Sequence, residues 1–191
     1  MSVAVAVVPN APLRRRRAAA ATLTAPAAVR AAVAADAPAI HALVADHLAE
    51  GHLLPRGAEE ILAHVHRFVV AVEDERLVAC ADLAPLSRTV AEIRSLVVSR
   101  DARAGGIGRR LVDELVRRAT VAGFARLCAF THAPGYFVQL GFSIVPHVWL
   151  PEKIETNCRT CAQFRGCGQY AVLLELARTR HSCVPLGSLH G

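Results

Sequence analysis

The stretch that most constrains this chain runs from Ile93 to Gly123, reading "IRSLVV", "SRDARAGGIGRR" and "LVDELVRRATVAG". The first piece is a β-branched apolar run of strand type. Across the last two, Ile107, Leu111, Leu115 and Ala119 fall on one face of a helix that Gly123 closes. Three glycines, Gly105, Gly106 and Gly108, sit between strand and helix with arginines on both sides. A helix N-terminus exposes unsatisfied N–H groups and a partial positive charge, and glycines let the backbone close around an anion there. The chain is therefore built around a strand–loop–helix unit that holds an anion.

The flanking sequence sets this unit in a mixed sheet. A strand near 29–33 leads to Asp36, an expected N-cap, with Pro38 in the first helical turn. Ile40, Leu43, Val44 and Leu48 recur at helical spacing, and "GHLLPRGAEEILAHVHR" reads as a loop and a second helix. "FVVAVEDERLVACADLAPL" gives two apolar runs around a polar turn, a hairpin signal, and "TVAEIRSLVV" is the next strand. After the glycine loop and its helix come a strand "ARLCAFT", a short helix "GYFVQLGF" closed by Gly141, a strand "SIVPHVWL" and a last strand "YAVLLEL". The expected order is β-α-α-β-β-β-α-β-α-β-β. It describes an α/β (α+β) domain with a mixed, mostly antiparallel sheet, a central βαβ unit and flanking helices.

Length and charge bound the rest. With 191 residues, 53% of them hydrophobic, the chain can bury one proper core. No apolar run reaches the ~18 residues of a membrane span, so no membrane partner is expected. The net charge is +6, but Arg14, Arg15, Arg16, Arg17 and Arg30 are the sole charges among the first thirty residues, leaving +1 for the remainder. The basic character thus belongs to the N-terminus, and no nucleic-acid partner is expected for the folded part. Residues 1–27 read as a disordered Ala- and Arg-rich extension, residues 28–178 as the domain and 179–191 as a loose tail. Twin-arginine export or an organellar transit peptide are the competing readings of the first segment. The expected location is otherwise cytoplasmic, and a homodimer is compatible with the sequence.

Spacing narrows the anion. A phosphate loop of the G-x-x-x-x-G-K-[ST] type needs a lysine that is missing here, and the dinucleotide fingerprint G-x-G-x-x-G fails because position 111 is leucine. Arg103-Ala104-Gly105-Gly106-Ile107-Gly108 does fit R/Q-x-x-G-x-G/A. On this motif, on the element order from about 28 to 176 and on "YFVQLGF", the chain resembles the GNAT family of N-acetyltransferases. The resemblance implies acetyl-CoA as cosubstrate. Arg103, Ala104, Gly105, Gly106, Ile107, Gly108 and Arg109 would then hold its pyrophosphate, the backbone of Leu96, Val97 and Val98 its pantetheine arm, with Thr131 nearby.

Amine attack on a thioester needs a neutral amine, and an α-amino group with a pKa near ~8 is mostly protonated at neutral pH. A general base is therefore required. Glu92, on the strand before the loop, is the expected base, and strand alternation puts Glu92, Arg94, Leu96 and Val98 on one face. Many family members place a tyrosine acid on the short helix at the position that is Phe137 here. Tyr136 precedes it and is the candidate, turned by about 100°. "EGHLLPRGAEEI", "AEIRSLVV", "YFVQLGF" and "LPEK" further resemble the acetyltransferase domain of N-acetylglutamate synthases. That resemblance implies acetylation of the α-amine of glutamate, the opening step of arginine biosynthesis. It also implies a short form without the amino-acid-kinase-like domain that carries arginine feedback. Arg56 would grip a substrate carboxylate, a role suited to its planar fork, with Arg94 and Lys153 in the same pocket. A different small amine or amino acid is the nearest rival substrate.

Cys158, Cys161 and Cys167 form a cluster in "CRTCAQFRGC". C-x-x-C is a zinc-knuckle spacing, and His147, His181 or Cys183 could complete a zinc site. A redox pair and free thiols are the other readings. A metal-binding or redox module on the same fold is thus the rival of a different class.

Overall fold

The computed structural model describes residues 27–176, apart from residues 52, 104 and 163. Nearly all of the predicted extension and all of the predicted tail lie outside the described residues, as do Ala104, His181 and Cys183. The chain forms a seven-stranded sheet in the order β1-β2-β3-β4-β5-β7-β6. The strands are β1 Ala28–Ala31, β2 Phe68–Glu73, β3 Arg76–Pro85, β4 Val90–Val98, β5 Arg126–Thr131, β6 Ser143–Val145 and β7 Tyr170–Glu175. The β4–β5 pair is parallel and all other pairs are antiparallel.

The helices are α1 Ala37–Asp46, α2 Ala58–Ala63, α3 Ile107–Val121, α4 Pro134–Val138 and a single turn α5 Pro151–Lys153. A π-helical turn over Ile154–Cys158 continues α5. Through β5 and α4 the expected element order holds. The sequence-predicted strand from Ser143 to Leu150 is cut short: Pro146 follows β6, and His147–Trp149 form a 3-10 turn. Asp36 does precede α1, but its side chain makes no cap bond to that helix. Instead its Oδ2 accepts from the Val33 N–H at 2.8 Å and from Arg30, closing the turn before the helix.

Local chemistry explains the joints. Asp74 and Glu75, at φ 46° and 63°, turn the β2–β3 hairpin in the left-handed geometry that matches strand twist. Gly141, at φ 90°, ends the α4 segment, where the Phe142 N–H reaches the Phe137 carbonyl at 3.0 Å.

The two sheet faces are covered differently. On one, Leu111, Leu115 and Ala119 of α3 pack on Val69, Ala79, Ala81, Ile93, Leu127 and Ala129. On the other, α1 and α2 bring Ile40, Val44 and Ile61 onto Phe68, Val70, Cys80 and Val97. Further along that face, Leu150 seals a separate cluster of Val90, Cys128, Phe130 and Ala171. Asp82, Glu92 and Arg94 fall between these two covers.

One irregularity governs the site. Cys80 pairs with Val97 but Asp82 pairs with Arg94, so β4 carries an extra residue there. Ser95, at φ 48°, occupies this β-bulge. One extra residue inverts the alternation beyond it. Leu96 and Val98 therefore turn to the α3 side, while Val97 joins the opposite cluster. The expectation that Glu92, Arg94, Leu96 and Val98 share a face is corrected accordingly: Glu92 and Arg94 lie on one face, Leu96 and Val98 on the other. Beyond the bulge, β4 and β5 part. Their pairing ends at Ile93–Ala129, so the β5-facing edge of Leu96–Val98 has no strand partner among the described residues.

Candidate active site

Glu92 is fully buried, and so is Lys153. The Lys153 Nζ donates to both carboxylate oxygens, at 2.7 and 2.9 Å, and lies 5.2 Å from the centre of the Phe130 ring. Arg94 Nε donates to Glu92 Oε2 at 2.6 Å, and Arg94 Nη2 donates to Asn157 Oδ1 at 2.7 Å. The turn of α5 and the π-helical segment after it deliver Lys153 and Asn157 onto the face where β4 presents Glu92 and Arg94. Sequence reasoning named three of these four residues. Asn157 was missed, since an asparagine in an aperiodic segment carries no signal.

A second charged cluster adjoins the first. Asp82, fully buried, stands opposite Arg94 in the β3–β4 register. It accepts from Arg56 Nη1 at 2.8 Å and from Arg67 Nη2 and Nε at 2.7 and 3.0 Å. Arg56 Nη2 donates to Glu60 Oε1 at 2.6 Å, and Arg56 packs over the Phe68 ring. Burial opposes the charge on Arg56, but Asp82 and Glu60 outweigh it and its pKa is raised. Arg56 thus reaches the site buried and already bonded to two carboxylates. Asp82 was legible in principle, as the one carboxylate inside the apolar run "LVACADLA".

The anion loop occupies the far end of the split between β4 and β5. Gly106, at φ 72°, is the N-cap of α3, and no side chain caps that helix. The backbone N–H groups of its first turn are therefore left for a ligand. Gly108 leaves room for Tyr136: a Cβ there would meet the Tyr136 hydroxyl at 2.7 Å, and one of the two would have to shift. That hydroxyl is buried with no hydrogen-bond partner among the described residues, and burial, with Asp113 adding, pushes the phenol up to about 12. Arg103 is turned away to structural work. Its Nη2 forks onto Glu50 at 2.8 and 3.0 Å, and its Nε bonds the Val98 carbonyl at 3.1 Å. Burial resists ionisation of Glu50, but Arg103 holds its carboxyl below the usual range. Arg109 is exposed, 3.8 Å from Asp113. Thr131 is buried at the end of β5, its Oγ1 accepting from the Ala133 N–H.

The zinc expectation is not supported. Among the described residues no group of three His, Cys, Asp or Glu side chains could hold a metal ion. Cys158, Cys161 and Cys167 are free thiols, and a separate 3-10 turn over Phe164–Gly166 stands between Cys161 and Cys167. Burial, first among the causes, raises the Cys158 thiol.

With this geometry in view, comparison with known proteins is decisive for the family. The acetyltransferase (GNAT) family profile matches residues 37–142. The chain belongs to the GNAT family. This N-acetyltransferase is 32% identical to an uncharacterised N-acetyltransferase of Chlorobaculum tepidum over 148 residues, 78% of this chain and 96% of that protein. It is 33% identical to an amino-acid acetyltransferase of Neisseria meningitidis, over 69% of this chain and 31% of that one. Among solved structures it is similar to N-acetylglutamate synthase from Neisseria gonorrhoeae complexed with coenzyme A and N-acetyl-glutamate. There the identity is 29% and the TM-score 0.72, with 80% of this chain and 35% of the other covered. The acetyltransferase therefore spans about a third of the length of these two Neisseria relatives. No helix among the described residues is long and apolar enough to cross a membrane.

Proposed function

We propose that this acetyltransferase, with residues 28–178 as its catalytic unit, transfers acetyl from acetyl-CoA to the α-amine of an acidic amino acid, glutamate in the first instance. The observation that carries the reading is the charge balance around the buried Glu92. Arg56, Arg67, Arg94 and Lys153 face Glu60, Asp82 and Glu92, an excess of one positive charge on a face walled by apolar clusters. Such a site suits a substrate with two carboxylates and one amine, and it repels a polyamine. The similarity to N-acetylglutamate synthase supports the same substrate.

In this reading the α3 N-terminus at Gly106, Ile107, Gly108 and Arg109 takes the pyrophosphate. The unpaired edge of Leu96–Val98 aligns the pantetheine arm, with Thr131 beside it. Arg103 acts by bracing the loop against Glu50. Arg56 and Arg94 take the carboxylates. Glu92 accepts the amine proton, directly or through one water, and the nitrogen then adds to the thioester carbonyl. As the C–S bond breaks, the Tyr136 phenol supplies a proton to the sulfur, and the proton that the adduct's nitrogen must shed returns through water to the phenolate. Lys153 and Asn157 hold Glu92 and Arg94 in place.

The test is thiol release from acetyl-CoA against a panel of the common amino acids and simple polyamines. Glutamate is expected to give the highest kcat/KM, and Glu92→Gln to lower kcat about 10²–10⁴-fold, as for loss of a general base. Turnover with polyamines and none with acidic amino acids or their amides would falsify the substrate assignment.

A further inference from the structure

The two carboxylates on Arg56 are not equivalent. Asp82 lies inside the sheet with no exposure, is shared with Arg67, and cannot leave without stranding two cations. Glu60 contributes one hydrogen bond, of 2.6 Å, from the first turn of the six-residue α2, and its side chain is 45% exposed. Arg56 itself is 1% exposed at the side chain, and its Nε is buried without a partner among the described residues. The guanidinium is therefore one acceptor short even with both carboxylates in place. Counted together, Arg56 and Arg67 are neutralised by Asp82 and Glu60. Without Glu60 the same cluster carries one net positive charge.

We infer that Glu60 is a displaceable stand-in for the substrate's carboxylate, a residue of this chain that masks Arg56 and so sets the choice between carboxylate and carboxamide side chains. The inference rests on the amino-acid substrate proposed above. A glutamate carboxylate takes Arg56 Nη2 when Glu60 swings into water, exchanging one charge-assisted hydrogen bond for another. The exchange costs little, because Glu60 is already half solvated. The masked fraction of the protein binds no carboxylate at this point, so apparent affinity falls by the unmasked fraction. A neutral carboxamide gains far less from unmasking, since it brings no charge to the freed guanidinium. Glu60 acts through Arg56 and is a positioning residue.

The experiment compares glutamate with glutamine at saturating acetyl-CoA. Glu60→Ala is expected to raise the ratio of kcat/KM for glutamate over glutamine about two- to fivefold, the scale of a partly exposed ion pair. The gain is expected in the KM for glutamate. A ratio that stays the same or falls overturns the inference, because a residue that merely braces Arg56 would weaken glutamate binding when removed. Glu60→Gln keeps the size and removes the charge. It is expected to move the ratio in the same direction, and it serves should the alanine variant not fold. Calorimetric titration of glutamate into the wild type and Glu60→Gln reads the same change without turnover. A wild type that acetylates neither amino acid overturns the substrate reading and this one with it. A wild type that acetylates glutamate, with an unmoved ratio in the variants, overturns this one alone.

Discussion

At the residue scale the defining feature is a carboxylate buried with two cations. Glu92 is held by the fully buried Lys153 and by Arg94, whose side chain is 12% exposed. Removing one partner from such a pair leaves a charge without compensation, at about 3–5 kcal/mol. Because Arg94 retains one oxygen of Glu92, Lys153→Met is expected at the lower end, about 3 kcal/mol, in urea unfolding. The double variant with Glu92→Gln should cost less than the sum of the two singles, since both charges then go. A single variant within about 0.5 kcal/mol of wild type, on the scale of an ordinary surface change, would deny the pair its structural weight. The types and positions of Glu92, Arg94 and Lys153 were legible in the sequence, as was the pairing of Glu92 with its strand neighbour Arg94; the bond from Lys153 and the burial of the group were not. Neither was the neutralisation of Arg103 by Glu50 or of Arg56 by Asp82 and Glu60. Ion pairs across 26 to 61 positions of chain are set by the fold, and charges read singly all look solvated.

At the element scale the site depends on the bulge in β4. Ser95 sits at φ 48°, where a side chain costs about 1–2 kcal/mol unless the residue is glycine or a small polar one. Ser95→Val, β-branched and in a fully buried position, is expected to lower unfolding stability by about 2 kcal/mol. It should also weaken coenzyme A binding, because the edge of Leu96–Val98 moves with the bulge. Ser95→Gly should retain both within about 0.5 kcal/mol, glycine being at ease at positive φ. Urea unfolding and calorimetric titration of coenzyme A read the two effects, and a valine variant equal to the glycine variant would remove the bulge from the account. The element order through β5 was readable because apolar alternation, the hairpin turn and the Ile107–Ala119 stripe are period signals. The bulge was not, because serine in a strand has no mark of left-handed backbone; its effect, turning Leu96 and Val98 to the α3 side, followed from the register alone. The Pro151–Cys158 segment was likewise hidden, since a π-helical turn has neither a 2 nor a 3.6 period.

At the scale of the whole molecule, acid stability follows from paired carboxylates distributed over the surface. Arg117, with Arg118 adding and burial opposing, holds Glu114 down to about 2 against an ordinary 4.5. Arg76 likewise holds Asp101 at about 2, and Arg30 lowers Asp36. A carboxylate whose folded pKa is depressed favours the folded state wherever it is ionised in both states. The unfolded chain takes up protons first as the pH falls, so stability is lost with acid. For Glu114 the contribution is complete above about pH 4.5 and disappears progressively towards about pH 2. Urea midpoints are therefore expected to be flat between about pH 7 and 5.5 and to decline steadily through about pH 4 and 3. Replacing Arg117 and Arg118 together by methionine lets the folded pKa of Glu114 return towards its ordinary value, which should shallow the decline between about pH 4.5 and 3. Partial solvent exposure makes this change modest, and added salt should shrink it in the wild type. Two proteins whose midpoints fall in parallel over that range would place the acid sensitivity elsewhere.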